Sequence, residues 1–218
     1  MTKKEIARLA CEELEKLYPD IDCTLDYDEP YQLMFAARLA AQCTDARVNV
    51  VTKTLFKKYP DIQAFAAADI EELEQVVKPC GFYHTKAKSL KEMAQKLISD
   101  FNGEVPDTME ELLTLPGIGR KTANLMLGDV FGKPAIVTDT HCIRITGRLG
   151  LTENKEPAKV EADLKKLIPD EISSHFCHQT VQFGRDVCRA RSPKCGECTL
   201  NYFCREYSRN LKKNGGQF

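Results

Sequence analysis

The stretch MEELLTLPGIGRKTANLML, residues 109–127, decides the reading of this chain. A helix ends near Leu115, Pro116 stops it, and Gly117 and Gly119 permit a tight turn before a second helix begins. Two glycines one residue apart let backbone N–H groups come close to a phosphate. The N-terminus of the second helix adds a partial positive charge at the same place. The pattern is a helix–hairpin–helix, a sequence-independent grip on the DNA backbone, with Gly117, Gly119 and Arg120 as its candidate contacts. The competing reading is an ordinary αα-turn with Pro and Gly as punctuation.

Lys121 falls in the first turn of the second helix, where a cation is disfavoured. The same field destabilises the ammonium and frees the amine, which a Schiff-base nucleophile requires. A lysine attacking C1′ of a flipped nucleotide displaces the base and leaves an imine, and β-elimination then cuts the strand on the 3′ side. The plainer alternative is a solvated lysine that touches phosphate. Further along, IVTDTH (residues 136–141) reads as a turn entering a helix. Asp139 is a favoured N-cap there. It is also a candidate carboxylate for stabilising positive charge at C1′ and assisting proton transfer. The two roles are compatible.

Outward from these motifs, helical periodicity dominates. KKEIARLACEELEKLY places Ile6, Leu9, Ala10, Leu14 and Leu17 on one face. PYQLMFAARLAAQ, ARVNVVTKTLFKKY, IEELEQVVK and KAKSLKEMAQKLISDF behave alike, and further helices are expected over 107–114, 119–131, 139–149, 157–167 and 173–187. No stretch alternates as a strand does, so the fold class is all-α. The tail from Lys212 to Phe218, with Gly215 and Gly216, reads as frayed.

The ten cysteines divide in two. Cys11, Cys23, Cys43, Cys80, Cys142 and Cys177 are scattered through helical patterns and read as small buried hydrophobes. Cys188, Cys195, Cys198 and Cys204 crowd into the last thirty or so residues, which points to metal ligation rather than disulfides in a reducing compartment. This segment buries little apolar surface, so it is expected to need its metal to fold. Between the first two lies Arg189-Ala190-Arg191-Ser192-Pro193-Lys194, a compact basic loop suited to phosphate. The formal net charge of −1, from 31 basic and 32 acidic residues, excludes a highly basic coating protein without excluding a local DNA-binding face. No apolar run is long enough for a membrane span, and the first residues carry no secretion signal. A cytoplasmic protein, nucleoid-associated when on DNA, is expected.

Together LPGIGRKTAN, TDTHCIRITGRLGL, LAAQCTDARVN, CGFYHTKAKSL and the Cys-x6-Cys-x2-Cys-x5-Cys spacing resemble the endonuclease III family of helix–hairpin–helix DNA glycosylases, over nearly the whole chain. The resemblance implies a six-helix barrel over about 23–133, with 1–22 and 134–218 forming a discontinuous cluster domain and DNA held in the groove between them. It places the lyase nucleophile on Lys121 and the catalytic carboxylate on Asp139. Gln42 falls where the family inserts a glutamine into the duplex, and Phe82 where it supplies a wedge. The four cysteines fall where it binds a 4Fe-4S cluster, although four thiolates alone also suit zinc. An amide can pair with an orphaned base and a ring can fill a gap in the stack. The bland readings are a helix-end glutamine and a core phenylalanine.

Several positions depart from the family pattern: Arg38 and Phe82 where aliphatic residues are usual, Thr138 before Asp139, and Gln182-Phe183 before Gly184. Arg38 is expected to contact a base edge or phosphate, or else to snorkel. The resemblance implies a monomeric glycosylase and AP lyase for double-stranded DNA carrying damaged bases, oxidised pyrimidines above all, or abasic sites. A relative with shifted base specificity and a non-catalytic damage-binding protein are the alternatives, and the coexistence of Lys121 and Asp139 argues against the latter.

Overall fold

The computed structural model describes residues 1–213, and everything described is helix, turn or loop. It divides into two compact units: residues 23–132, and residues 1–22 together with 133–218.

The first unit, the barrel unit, is built from α2 (Pro30–Leu39), α3 (Asp45–Lys58), α4 (Ile62–Ala67), α5 (Ile70–Val77), α6 (Tyr83–Phe101), α7 (Met109–Leu112) and α8 (Arg120–Asp129). Short polar side chains start most of them. Thr44, Asp61, Asp69 and Thr108 each accept a backbone N–H from the first turn that follows. α2 is apolar nearly all round, as a helix enclosed by others must be. Tyr31 through Ala36 and Leu39 are buried, and α2 packs on α3, α6 and α8. An aromatic cluster fills one side, with the Phe35 and Phe65 rings 4.8 Å apart edge to face and Tyr59 5.2 Å from Phe65.

The helix expected over 107–114 shrinks to the four residues of α7. The backbone of Leu115 bonds back to Leu112 and that of Ile118 to Leu115. The chain therefore leaves the helix before the residue that Pro116 would exclude from it.

The second unit, the cysteine unit, holds α1 (Lys3–Leu17), α9 (Thr140–Leu149), α10 (Pro157–Leu164), α11 (Ser173–Asp186) and α12 (Arg205–Lys213). α1 opens on a reciprocal Thr2–Glu5 capping box. Its buried stripe is Ala7, Ala10, Cys11 and Leu14, rotated from the expected face, and Leu17 is exposed. Small side chains on that stripe let α1 lie close against α11. Gln179 ties α11 to Glu15 at 2.7 Å, and the Tyr18 hydroxyl reaches Asp186 at 3.2 Å. These bonds stitch the two ends of the chain into one unit.

Two expectations change here. Cys23 and Cys43 lie in loops and are only half-buried, unlike the buried Cys11, Cys80, Cys142 and Cys177. Residues Lys212 and Lys213, expected to fray, close α12, while residues 214–218 lie outside the described residues. No helix among the described residues is long and apolar enough to cross a membrane.

Candidate functional site

The hairpin is a four-residue turn, Leu115-Pro116-Gly117-Ile118, closed by the Ile118 N–H on the Leu115 carbonyl at 3.1 Å. Proline second and a glycine at φ +79° third is the combination a type II turn demands. Gly119 then caps α8 with no side-chain hydrogen bond, so no side chain occupies the helix end. Lys121 stands exposed in the first turn of α8 and makes no hydrogen bond or ion pair among the described residues. Its amine is not tied up. Arg120, beside it, is exposed too.

Gln42 and Phe82 share an unusual feature. Both are exposed, and both hold left-handed backbone, at φ +56° and +49°. Only four non-glycine residues among those described do so, and strained backbone at an exposed loop residue points to function. Phe82 is 66% exposed, which removes the core-aromatic alternative. It is the N-cap residue of α6, directly after Gly81. Behind these loops, the Cys43 and Cys80 thiols interact. Lys86, 1% exposed, donates to the Cys80 carbonyl at 2.8 Å. Burial, reinforced by the nearby Arg38, holds the Lys86 ammonium below its usual range.

Arg38 is half-buried. Its Nε is buried without a partner, and its Nη2 donates to Ser89 Oγ at 3.3 Å. A Cβ on Gly117 would come within 2.6 Å of that Nε. The side chain runs beneath the hairpin.

In the cysteine unit, Asp139 caps α9. Its Oδ1 accepts the Cys142 N–H at 2.7 Å, while its other oxygen makes no hydrogen bond among the described residues. The cap uses half of the carboxylate and leaves half for chemistry. From the same helix, Arg144 Nε donates to the Cys188 carbonyl at 3.1 Å and Nη2 to the Gly184 carbonyl at 3.3 Å. Gly184 makes this possible, since a Cβ there would lie 2.7 Å from Arg144 and 2.3 Å from His141, closer than any side chain allows. Arg148, one turn on, donates to the Cys188 sulfur at 3.3 Å, to the Arg189 carbonyl at 2.7 Å and to the Ala190 carbonyl at 3.1 Å. Sequence reasoning missed both arginines. Their i, i+4 spacing, on the helix that Asp139 caps, was the available signal.

Cys188, Cys195, Cys198 and Cys204 line one cavity of about 190 Å³, walled otherwise by apolar side chains such as Phe183 and Leu200 and by polar ones such as Arg148 and Glu206. Phe183 is therefore part of the cysteine cavity, and its neighbour Gln182 bonds Asp186 at 2.9 Å. Burial pushes the Cys198 thiol up to about 11 and raises Cys195 and Cys204 as well, so these sulfurs need positive metal charge to ionise. Among the described residues no three such ligands converge tightly enough to hold one ion. The four-thiolate donor set fits an iron–sulfur cluster. Arg189, Arg191 and Lys194 project from the loop between the first two cysteines and are exposed, and Ser192 among them has φ +50°.

Comparison with known proteins defines the class first. Residues 35–170 match the family described as HhH-GPD superfamily base excision DNA repair protein, and residues 188–204 match the iron–sulfur binding domain of endonuclease III. The chain is 50% identical over 192 residues to endonuclease III of Synechocystis sp., covering 88% of each, and 44% identical over 198 residues to that of Bacillus subtilis, covering 90% of each. It also resembles the solved structure of a trapped endonuclease III–DNA covalent intermediate in an estranged-adenine complex. The TM-score is 0.91 at 43% identity, with 97% of this chain and 99% of that one covered. The chain belongs to the endonuclease III family, binds DNA and carries a 4Fe-4S cluster.

Proposed function

We propose that this protein is a monomeric, cytoplasmic base-excision repair enzyme, a DNA glycosylase and AP lyase that removes oxidised pyrimidines from duplex DNA and cuts the abasic strand. The observation that carries the reading is the exposed, unpaired Lys121 in the first turn behind a phosphate-gripping hairpin. The endonuclease III–DNA covalent intermediate seen for a relative supports it.

The hairpin amides around Gly117 and Gly119, with Arg120, hold backbone phosphate. Phe82 fills the gap left by a flipped nucleotide and Gln42 pairs with the orphaned base, since the target carbon is unreachable inside the stack. The Lys121 amine attacks C1′, the glycosidic bond breaks, and the base leaves with its electron pair and takes up a proton. The sugar ring opens to a protonated imine. Loss of a C2′ proton then expels the 3′ phosphate. The free oxygen of Asp139 stabilises positive charge at C1′ and assists the proton transfers. Cys188, Cys195, Cys198 and Cys204 hold the cluster, which when bound gives the loop a rigid anchor. Arg189, Arg191 and Lys194 on that loop meet phosphate.

The test is strand cleavage by the holoenzyme on duplexes containing thymine glycol, a natural abasic site or no lesion. Cleavage of the first two but not the third, lost in Lys121→Gln, is expected. Cleavage undiminished by Lys121→Gln overturns the assignment.

A further inference from the structure

The barrel unit contains a half-buried cation that this chemistry does not use. Arg38 leaves α2 one helical turn before Gln42. Its Nη2 bonds Ser89 Oγ at 3.3 Å, and Ser89 Oγ in turn donates to the Thr85 carbonyl at 2.8 Å, three residues beyond Phe82. Its Nε and Cδ lie 2.6 and 3.0 Å from where a Gly117 Cβ would be. One side chain thus touches the helix leading to Gln42, the helix leading from Phe82, and the hairpin turn.

The arrangement is costly. Nε is buried with no hydrogen-bond partner, no carboxylate pairs with Arg38 among the described residues, and the buried Lys86 ammonium is close enough to act on it. A guanidinium whose Nε is buried without a partner destabilises a fold where an aliphatic side chain of similar reach would not. Its stem also fills the space under Gly117, where only a glycine fits. A chain that keeps such a group at the junction of three contact elements gains something other than stability from it.

We propose that Arg38 is a positioning residue that couples the seating of the hairpin on the DNA backbone to the insertion of Gln42 and Phe82. The inference rests on the repair function proposed above. Undamaged duplex engages the hairpin and needs no fixed relation between it and the two loops. An abasic duplex engages all three at once, so its extra affinity depends on their being held in register. Without the guanidinium, the turn at Gly117 loses its link through Ser89 to the helix that follows Phe82, and each element engages separately.

The experiment measures affinity of the holoenzyme for an undamaged duplex and for one carrying a tetrahydrofuran abasic analogue, for wild type, Arg38→Met, Ser89→Ala and the double variant. Arg38→Met is expected to keep undamaged-duplex affinity within about twofold and to reduce the abasic-to-undamaged ratio about tenfold, the upper range for an indirect coupling. Ser89→Ala, which leaves the Arg38 stem in place, reduces the ratio about threefold and still reads the coupling if Arg38→Met fails to fold. The double variant is no worse than Arg38→Met, because both remove one connection. An unchanged ratio, parallel loss of both affinities, or losses that multiply in the double variant overturns the proposal. Wild type that does not prefer the analogue contradicts the repair function itself, a result distinct from failure of the coupling.

Discussion

Replacing Gly117 with alanine is the sharpest perturbation the hairpin offers. Gly117 has φ +79°, a left-handed conformation that costs a residue with a Cβ about 1–2 kcal/mol. The new methyl would also meet Arg38 Nε at 2.6 Å, Arg38 Cδ at 3.0 Å and Ser89 Oγ at 3.1 Å. Relieving that overlap displaces a side chain already confined beneath the turn, an overpacking cost of about 1–3 kcal/mol. The total, about 2–5 kcal/mol, is a large share of the roughly 5–15 kcal/mol that stabilises a typical domain. Gly119→Ala is the internal control. Its φ is −107°, a Cβ there meets nothing within 4 Å, and the loss as a helix cap is at most about 1 kcal/mol. Urea midpoints at unchanged slope measure both. Measured again in an Arg38→Ala background, the cost of Gly117→Ala should fall by the overpacking share and keep the backbone share. Equal costs for the two glycine variants, or a Gly117→Ala cost indifferent to Arg38, would refute the reasoning. DNA affinity should separate them differently, since Gly119→Ala leaves the fold intact yet puts a methyl where phosphate approaches.

Three other outcomes follow from the same contacts. Phe82→Gly relieves left-handed strain at a 66% exposed position, so stability should rise by about 1 kcal/mol. Excision from duplex DNA should fall about tenfold or more, since unstacking costs a few kcal/mol per step and the wedge is gone; a variant both more stable and equally active contradicts the wedge role. Arg148→Met removes the bond to the Cys188 sulfur and the anchors at Arg189 and Ala190. The cluster's yellow-brown absorbance should then bleach about tenfold faster under chelator than in wild type. Lys86 is buried and its ammonium is held below its usual range by desolvation. The folded state therefore releases this proton at lower pH than the unfolded one, so wild-type stability relative to Lys86→Met should rise as pH climbs through the folded value, levelling off above the usual lysine range. Constant difference across alkaline pH would contradict the burial argument.

What was readable in the sequence is what short-range chemistry determines. Pro116 and Gly117 specify their turn locally, Asp139 is a cap by residue type, and Cys188, Cys195, Cys198 and Cys204 announce their common cavity by spacing. The all-α class came from periodicity, yet the face of α1 was misplaced because small residues, not the large aliphatics, approach α11. α7 was overlong because the exclusion imposed by Pro116 reaches further back than its own turn. Nothing local reveals that Gln42 and Phe82 hold left-handed backbone, since any residue type can be forced there by its surroundings. The surroundings of Arg38 are equally non-local. Its partners, Ser89 and Gly117, are far away in sequence, and only the folded barrel brings a serine and a glycine turn around one guanidinium.

The central claim is that Lys121 forms the covalent bond to DNA. Holoenzyme incubated with an abasic duplex and sodium borohydride, digested and sequenced by mass spectrometry, reports the modified residue directly. The account predicts a reduced sugar adduct on the Lys121 side chain, absent in Lys121→Gln. An adduct on another lysine or on the N-terminal amine, or none while the strand is still cut, would contradict it.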